Sequence, residues 1–147
     1  TDKCYWNYLR VYAPQGSQLI SGPENMIPAE TWFGGFDWQP ETEAFSELPG
    51  YSTFSSWMLL PRGEERTSVF HYTLPDTVVQ REDGASQYTL RIGKQSGVRP
   101  YHVQVLVTLP PGKKAVETLP DPVAVENETL IFAVELDGNK DITVIYR

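Results

Sequence analysis

Trp32-Phe33-Gly34-Gly35-Phe36-Asp37-Trp38 sets four aromatic rings within seven residues, and Tyr51, Phe54 and Trp57 follow nearby. Two readings are open. Exposed aromatic faces beside polar groups are the chemistry of a carbohydrate platform, with Trp32, Trp38 and Trp57 as the ligand-binding residues. Alternatively, Trp32, Phe36 and Trp38 share one strand phase, which would bury them together as core. The Gly34-Gly35 pair then marks a bulge or a close backbone approach. Core is the commoner fate of such a cluster.

The other residues able to do chemistry fall to simpler readings. His71 and His102 each lie on the polar phase of an alternating stretch, so both are expected to face solvent. Neither sits in a metal-ligand spacing, and no neighbour in sequence supplies a catalytic partner. No serine lies in Gly-x-Ser-x-Gly; Ser17, Ser52, Ser55 and Ser56 read as strand or turn residues. Gly93-Lys94-Gln95-Ser96-Gly97 carries two glycines with no helix to follow, so it reads as a loop with Gly97 at a special backbone angle rather than a phosphate cradle. Asp137-x-Asn139-x-Asp141 offers alternate oxygens as calcium loops do, but the distal Glu is missing and Gly138 is misplaced. A plain hairpin explains it. A glycosidase carboxylate pair would be a spatial arrangement, and the 19 acids are the expected source of charge and solubility. The lone Cys4 excludes an internal disulfide and any Cys-based zinc site. Asn127-Glu128-Thr129 is formally a glycosylation acceptor. No catalytic residue, metal ligand or cofactor is assigned, and the chain is read as a non-enzyme.

The elements that must carry these residues are strands. Val, Ile, Thr, Tyr, Phe and Trp make up a third of the 147 residues, against only 7 Ala. The 11 Gly and 12 Pro fall between apolar runs as turn punctuation. Tyr101–Leu109 alternates strictly, with every odd position apolar or aromatic. Tyr88–Ile92, Phe70–Leu74, Leu130–Leu136 and Ile142–Tyr146 do the same. Tyr5–Tyr12, Gln18–Ser21, Thr31–Trp38 and Phe54–Leu60 complete about nine strands. Clean polar and apolar faces predict an all-β, antiparallel, two-sheet immunoglobulin-like sandwich, with a β-barrel as the alternative. Asp137-Gly138 suits a tight hairpin. Gln39–Gly50 reads as a long surface loop and Lys113–Asn127 as an irregular connection.

Length and charge bound the rest. One domain over 1–147 is the natural count, and a chain of this size buries roughly 70% of its unfolded surface without a metal or disulfide. The net charge of −7 argues against a nucleic-acid surface. No segment approaches the roughly 20 apolar residues of a membrane span, so no membrane contact by these residues is expected. The opening Thr1-Asp2-Lys3-Cys4-Tyr5-Trp6 lacks a signal-peptide core and an initiator Met, which suggests an excised or processed chain.

Several strings carry a resemblance. Tyr8-Leu9-Arg10-Val11-Tyr12, then Pro14 and Gly16-Ser17-Gln18-Leu19, resemble the start of the C-terminal β-rich region of the domain-of-unknown-function 4012 family. Phe33-Gly34-Gly35-Phe36 resembles its next strand. Pro61-Arg62-Gly63-Glu64 with Tyr72-Thr73-Leu74-Pro75 resembles its turn-and-strand pair, and Tyr88–Gly97 its Lys-Gln-x-Gly strand end, with Ser96 where a Pro is expected. The order of these strings spans most of residues 5 to 110. The resemblance implies a bacterial envelope protein, extracytoplasmic and at the cell surface. This chain would be the C-terminal module of a larger membrane-anchored protein, whose partner is another envelope protein or a glycan. It implies no catalytic residues. The expected function is a non-catalytic structural or protein-interaction module, the alternative a carbohydrate-binding module for cell-wall or capsule glycan.

Overall fold

A computed structural model describes residues 4–147; the opening Thr1-Asp2-Lys3 lies outside the described residues. Among the described residues about 52% of the chain is strand, there is no α-helix, and four antiparallel sheets form, none closed into a barrel. The barrel alternative is therefore not what the chain adopts. Contacts within the chain gather into two compact units, one ending at Pro75 and one running from Asp76 to Arg147, where the sequence reading expects a single domain.

In the first unit, β1 (Cys4–Pro14) pairs along its whole length with β4 (Tyr51–Pro61), and β3 (Glu43–Phe45) pairs with the other edge of β4. As the central strand, β4 is flanked at both edges, and Thr53, Phe54, Ser55 and Ser56 are all buried. Beside this sheet, β2 (Gln18–Ser21) pairs with β5 (His71–Thr73). Phe54 meets Tyr72 of β5 at 5.4 Å between ring centroids, and the Asn25 amide donates to the Trp57 carbonyl at 2.9 Å. Ala13, Ile27, Phe54, Met58 and Leu59 are the buried apolar residues here.

The second unit has two sheets. One runs β6 (Val79–Glu82), β7 (Ala85–Ile92), β12 (Lys140–Tyr146), β9 (Ala115–Leu119); the other runs β10 (Ala124–Glu126), β11 (Thr129–Glu135), β8 (His102–Thr108). Strict alternation produces one core from both: Leu130 and Phe132 of β11, Ile142, Val144 and Tyr146 of β12, with Val105, Val107 and Leu90 against them.

The strands with long alternation lie where the sequence predicts them. Thr31–Trp38 is not a strand. A 3-10 turn occupies Ala29–Thr31, and Gly35 takes φ +69°. The described residues hold twelve strands rather than about nine, because β3 lies inside the expected surface loop, β9 and β10 lie inside the expected irregular connection, and β6 lies in a stretch where the sequence reading places no strand. The Asp137-Gly138 hairpin is also corrected. β11 and β12 belong to different sheets, so this segment crosses between them. The Asp-Gly hairpin is instead Asp83-Gly84, both residues at positive φ, joining β6 to β7.

Candidate functional site

On β1 the alternation has a consequence for chemistry. Asn7, Leu9, Val11 and Ala13 take the interior phase, ending in the fully buried Ala13, which leaves Trp6, Tyr8, Arg10 and Tyr12 on the opposite face. Directly paired residues of antiparallel strands share a face. The register sets Leu59 opposite Trp6, Trp57 opposite Tyr8, Ser55 opposite Arg10, Thr53 opposite Tyr12 and Tyr51 opposite Pro14. From β3, Glu43 stands opposite Ser55 and Phe45 opposite Thr53. One sheet face thus collects Trp6, Tyr8, Tyr12, Phe45, Tyr51 and Trp57.

Four of these rings pack in pairs, and all six but the half-buried Tyr8 are exposed. Tyr8 and Trp57 lie 4.6 Å apart, and Tyr12 and Tyr51 meet edge-to-face at 6.3 Å. Trp57 is 38% exposed, Trp6 39%, Tyr12 43% and Tyr51 45%. Beneath them Thr53 and Ser55 are wholly buried, and the Thr53 hydroxyl has no hydrogen-bond partner.

Polar groups hold the edges of two of these rings, Tyr8 and Tyr12, in place. The Tyr8 hydroxyl donates to Glu43 Oε2 at 3.1 Å, so in its 2.7 Å contact with Ser55 the serine is the donor. Arg10 donates to Glu47 Oε1 at 3.3 Å, and its guanidinium lies 4.9 Å from the centre of the Tyr8 ring. The Tyr12 hydroxyl donates to the same Glu47 oxygen. The Arg10 pKa is raised above its ordinary value, first by hydrogen bonding to Tyr12, with the Glu47 charge adding to it against desolvation. Glu47 is matched by Arg10. Among the described residues, Glu43 contacts a neutral hydroxyl and no basic side chain.

The three tryptophans predicted as ligand-binding residues are divided. Trp57 is on this face. Trp32 and Trp38 belong to the loop closed by the Ile27–Trp38 bridge, whose two hydrogen bonds are each 2.8 Å. There they pack on each other at 5.4 Å, and Trp32 meets Phe36 edge-on at 4.7 Å. The Trp32 indole donates to the Phe36 carbonyl at 2.7 Å, and Asp37 accepts from the Ala29 amide at 2.9 Å. The shared burial expected of Trp32, Phe36 and Trp38 does not occur. The tryptophans are half-buried, Phe36 is 57% exposed, and Phe33 projects fully from the loop tip. Curling of the chain, not strand phase, brings these rings together.

Other residues resolve more simply. His71 and His102 are exposed; His71 contacts Ser21 at 3.2 Å across β2 and β5. The oxygens of the Asp137–Asp141 segment serve separate partners: Asp137 pairs with Lys140, Asn139 accepts from the Lys94 amide, and Asp141 pairs with Arg91. Gly97 does take a left-handed φ of +81°. No group of three metal-ligating side chains and no helix long and apolar enough to cross a membrane occurs among the described residues.

Sequence reasoning noted Tyr5–Tyr12 as a strand but missed its aromatic phase. The signal was present in the even positions Trp6, Tyr8, Arg10 and Tyr12, and it becomes a site only once β4 adds Trp57 and Tyr51 to the same face. No family model, curated protein or solved structure matches the chain.

Proposed function

We propose that this chain is a non-catalytic carbohydrate-binding module, and that its ligand lies along the aromatic face of β1, β4 and β3. The observation that carries this reading is six rings on one sheet face, five of them exposed, with Tyr8 and Tyr12 fixed by hydrogen bonds at their hydroxyls. A pyranose has a C–H face and a rim of hydroxyls. The C–H face suits the negative face of an aromatic ring, and the rim suits carboxylates and guanidinium as charge-assisted partners. Rings held before the ligand arrives lose little freedom on binding. Alternate side chains of a strand stand about 7 Å apart, roughly one sugar with its linkage, so an extended glycan running along β1 can meet successive groups. These features favour a glycan over the plain spacer or protein-interaction role that the sequence first suggests.

The module is read as a β-sandwich of immunoglobulin-like kind, supported in the second unit by the single core shared between two sheets. Its place is read as the surface of a bacterial cell, the distal part of a membrane-anchored protein. The resemblance of residues 5 to 110 to the domain-of-unknown-function 4012 family supports that placement.

Titration of the intact protein with soluble cell-wall and capsule glycans, followed by tryptophan fluorescence and calorimetry, tests the reading. Binding by at least one glycan is expected, with Trp57→Ala and Trp6→Ala each weakening it at least about tenfold, as central aromatic anchors do. Unchanged affinity in both folded variants would remove the face from the binding site.

A further inference from the structure

The charges on the aromatic face are unequal, and this deepens the proposed function, on which it rests. Three charged side chains are placed there by register or hydrogen bonding: Arg10, Glu43 and Glu47. Arg10 and Glu47 form an ion pair at 3.3 Å, and Tyr12 adds a second donor to the same carboxylate. The positive charge of the face is therefore engaged. Glu43 differs. Its partner is the Tyr8 hydroxyl, which orients the carboxylate without neutralising it, and no basic side chain among the described residues pairs with it. It sits at exposed β3, beside the Tyr8–Trp57 stack.

We infer that the face selects glycans bearing free amino groups over their N-acetylated, neutral or acidic counterparts, with Glu43 as the specificity-determining residue. An ammonium on a sugar stacked at Tyr8 and Trp57 gains twice, from the Glu43 charge and from the electron-rich ring faces. An N-acetylated sugar keeps the stacking and loses the charge. A polyuronate brings like charge to the carboxylate and to a chain of net charge −7. A protein partner is the less favoured occupant, because every ring but Phe45 presents a polar edge and the carboxylates lie among them.

The test measures affinities of the intact protein for four probes of similar length: a chitosan oligosaccharide, its fully N-acetylated form, a neutral β-glucan and a polyuronate. The expected order places chitosan first and polyuronate last. The chitosan to N-acetyl ratio should be about three- to five-fold, the size of one exposed charge pair, and should shrink as salt rises. Glu43→Gln should lower that ratio to the small preference that the ring faces alone give, below about twofold, whatever the absolute affinities. Glu126→Gln, which makes the same change in net charge in the other unit, should leave the ratio as it was. Equal binding of chitosan and its N-acetylated form, or a preference that Glu126→Gln abolishes equally, overturns the selectivity and leaves the carbohydrate reading standing. Failure of the folded protein to bind any of the four overturns both. So does self-association abolished by Trp57→Ala without glycan binding, which would give the face to a second copy of the chain.

Discussion

A Cβ placed on Gly34 would stand 2.2 Å from the Trp32 ring, a separation that no packed structure sustains. Trp32 is also packed against Phe36 and Trp38 and held at its nitrogen by the Phe36 carbonyl, so any retreat of the ring disturbs these contacts. Gly34→Ala is expected to lift Trp32 from the loop and break that hydrogen bond, at the cost of about 1–3 kcal/mol usual for overpacking. Thermal melting should fall, and tryptophan emission should become more accessible to acrylamide. Gly138 supplies the contrast, because its added Cβ would meet open space and its backbone is not left-handed. Gly138→Ala should stay within about 0.5 kcal/mol of the parent protein. Equal stability of the two variants would show that the Trp32 packing does not constrain the loop. Both glycines stand in turn-like strings, and what separates them is a side chain two residues away, which no single-residue preference encodes.

Strands were legible wherever one face had to be buried over five or more residues. Tyr101–Leu109 and Ile142–Tyr146 are of this kind, since period two leaves no other face for their apolar set. The aromatic string at 32–38 misleads because the same two-residue spacing also arises when a loop curls its rings together. Strand partners were less legible, because the Asp137-Gly138 turn chemistry is local whereas pairing is decided by where the cores lie. β12 joins β7, not β11. That pairing is clamped on its outer side by Arg91 and Asp141, with two bonds of 2.8 Å, next to a Thr89–Thr143 contact of 3.2 Å. The Arg91 hydrogen bonds hold the Asp141 carboxyl below the usual carboxylate range. A carboxylate whose folded pKa is depressed adds stability above its unfolded pKa of about 4, and that contribution is lost as pH falls through the lower folded value. Asp141→Asn is therefore expected to lose a little stability at neutral pH and to show a shallower decline below about pH 4. Denaturant melts of both proteins between pH 2 and 7 decide it; parallel curves would mean that the clamp is not linked to folding.

The two units carry different reporters. All four tryptophans, Trp6, Trp32, Trp38 and Trp57, precede Pro75, so tryptophan emission follows the first unit only, while far-UV circular dichroism follows the strands of both. The second unit has its own core around Phe132, which is completely buried between residues of β8, β11 and β12. Removing its ring leaves a cavity, and Phe132→Ala should cost about 3–5 kcal/mol. Units with separate cores are expected to unfold separately. Similar midpoints would mask this in the parent protein, but in the variant the two probes must part. The dichroism transition should acquire an early component while the tryptophan transition stays where it was. A tryptophan midpoint that moves together with the dichroism midpoint would instead show one cooperative unit over the whole chain. The aromatic face of β1, β4 and β3 gives the same experiment a functional arm. If the units are independent, Phe132→Ala leaves glycan affinity intact at temperatures where the second unit has already melted, because every residue of that face belongs to the first.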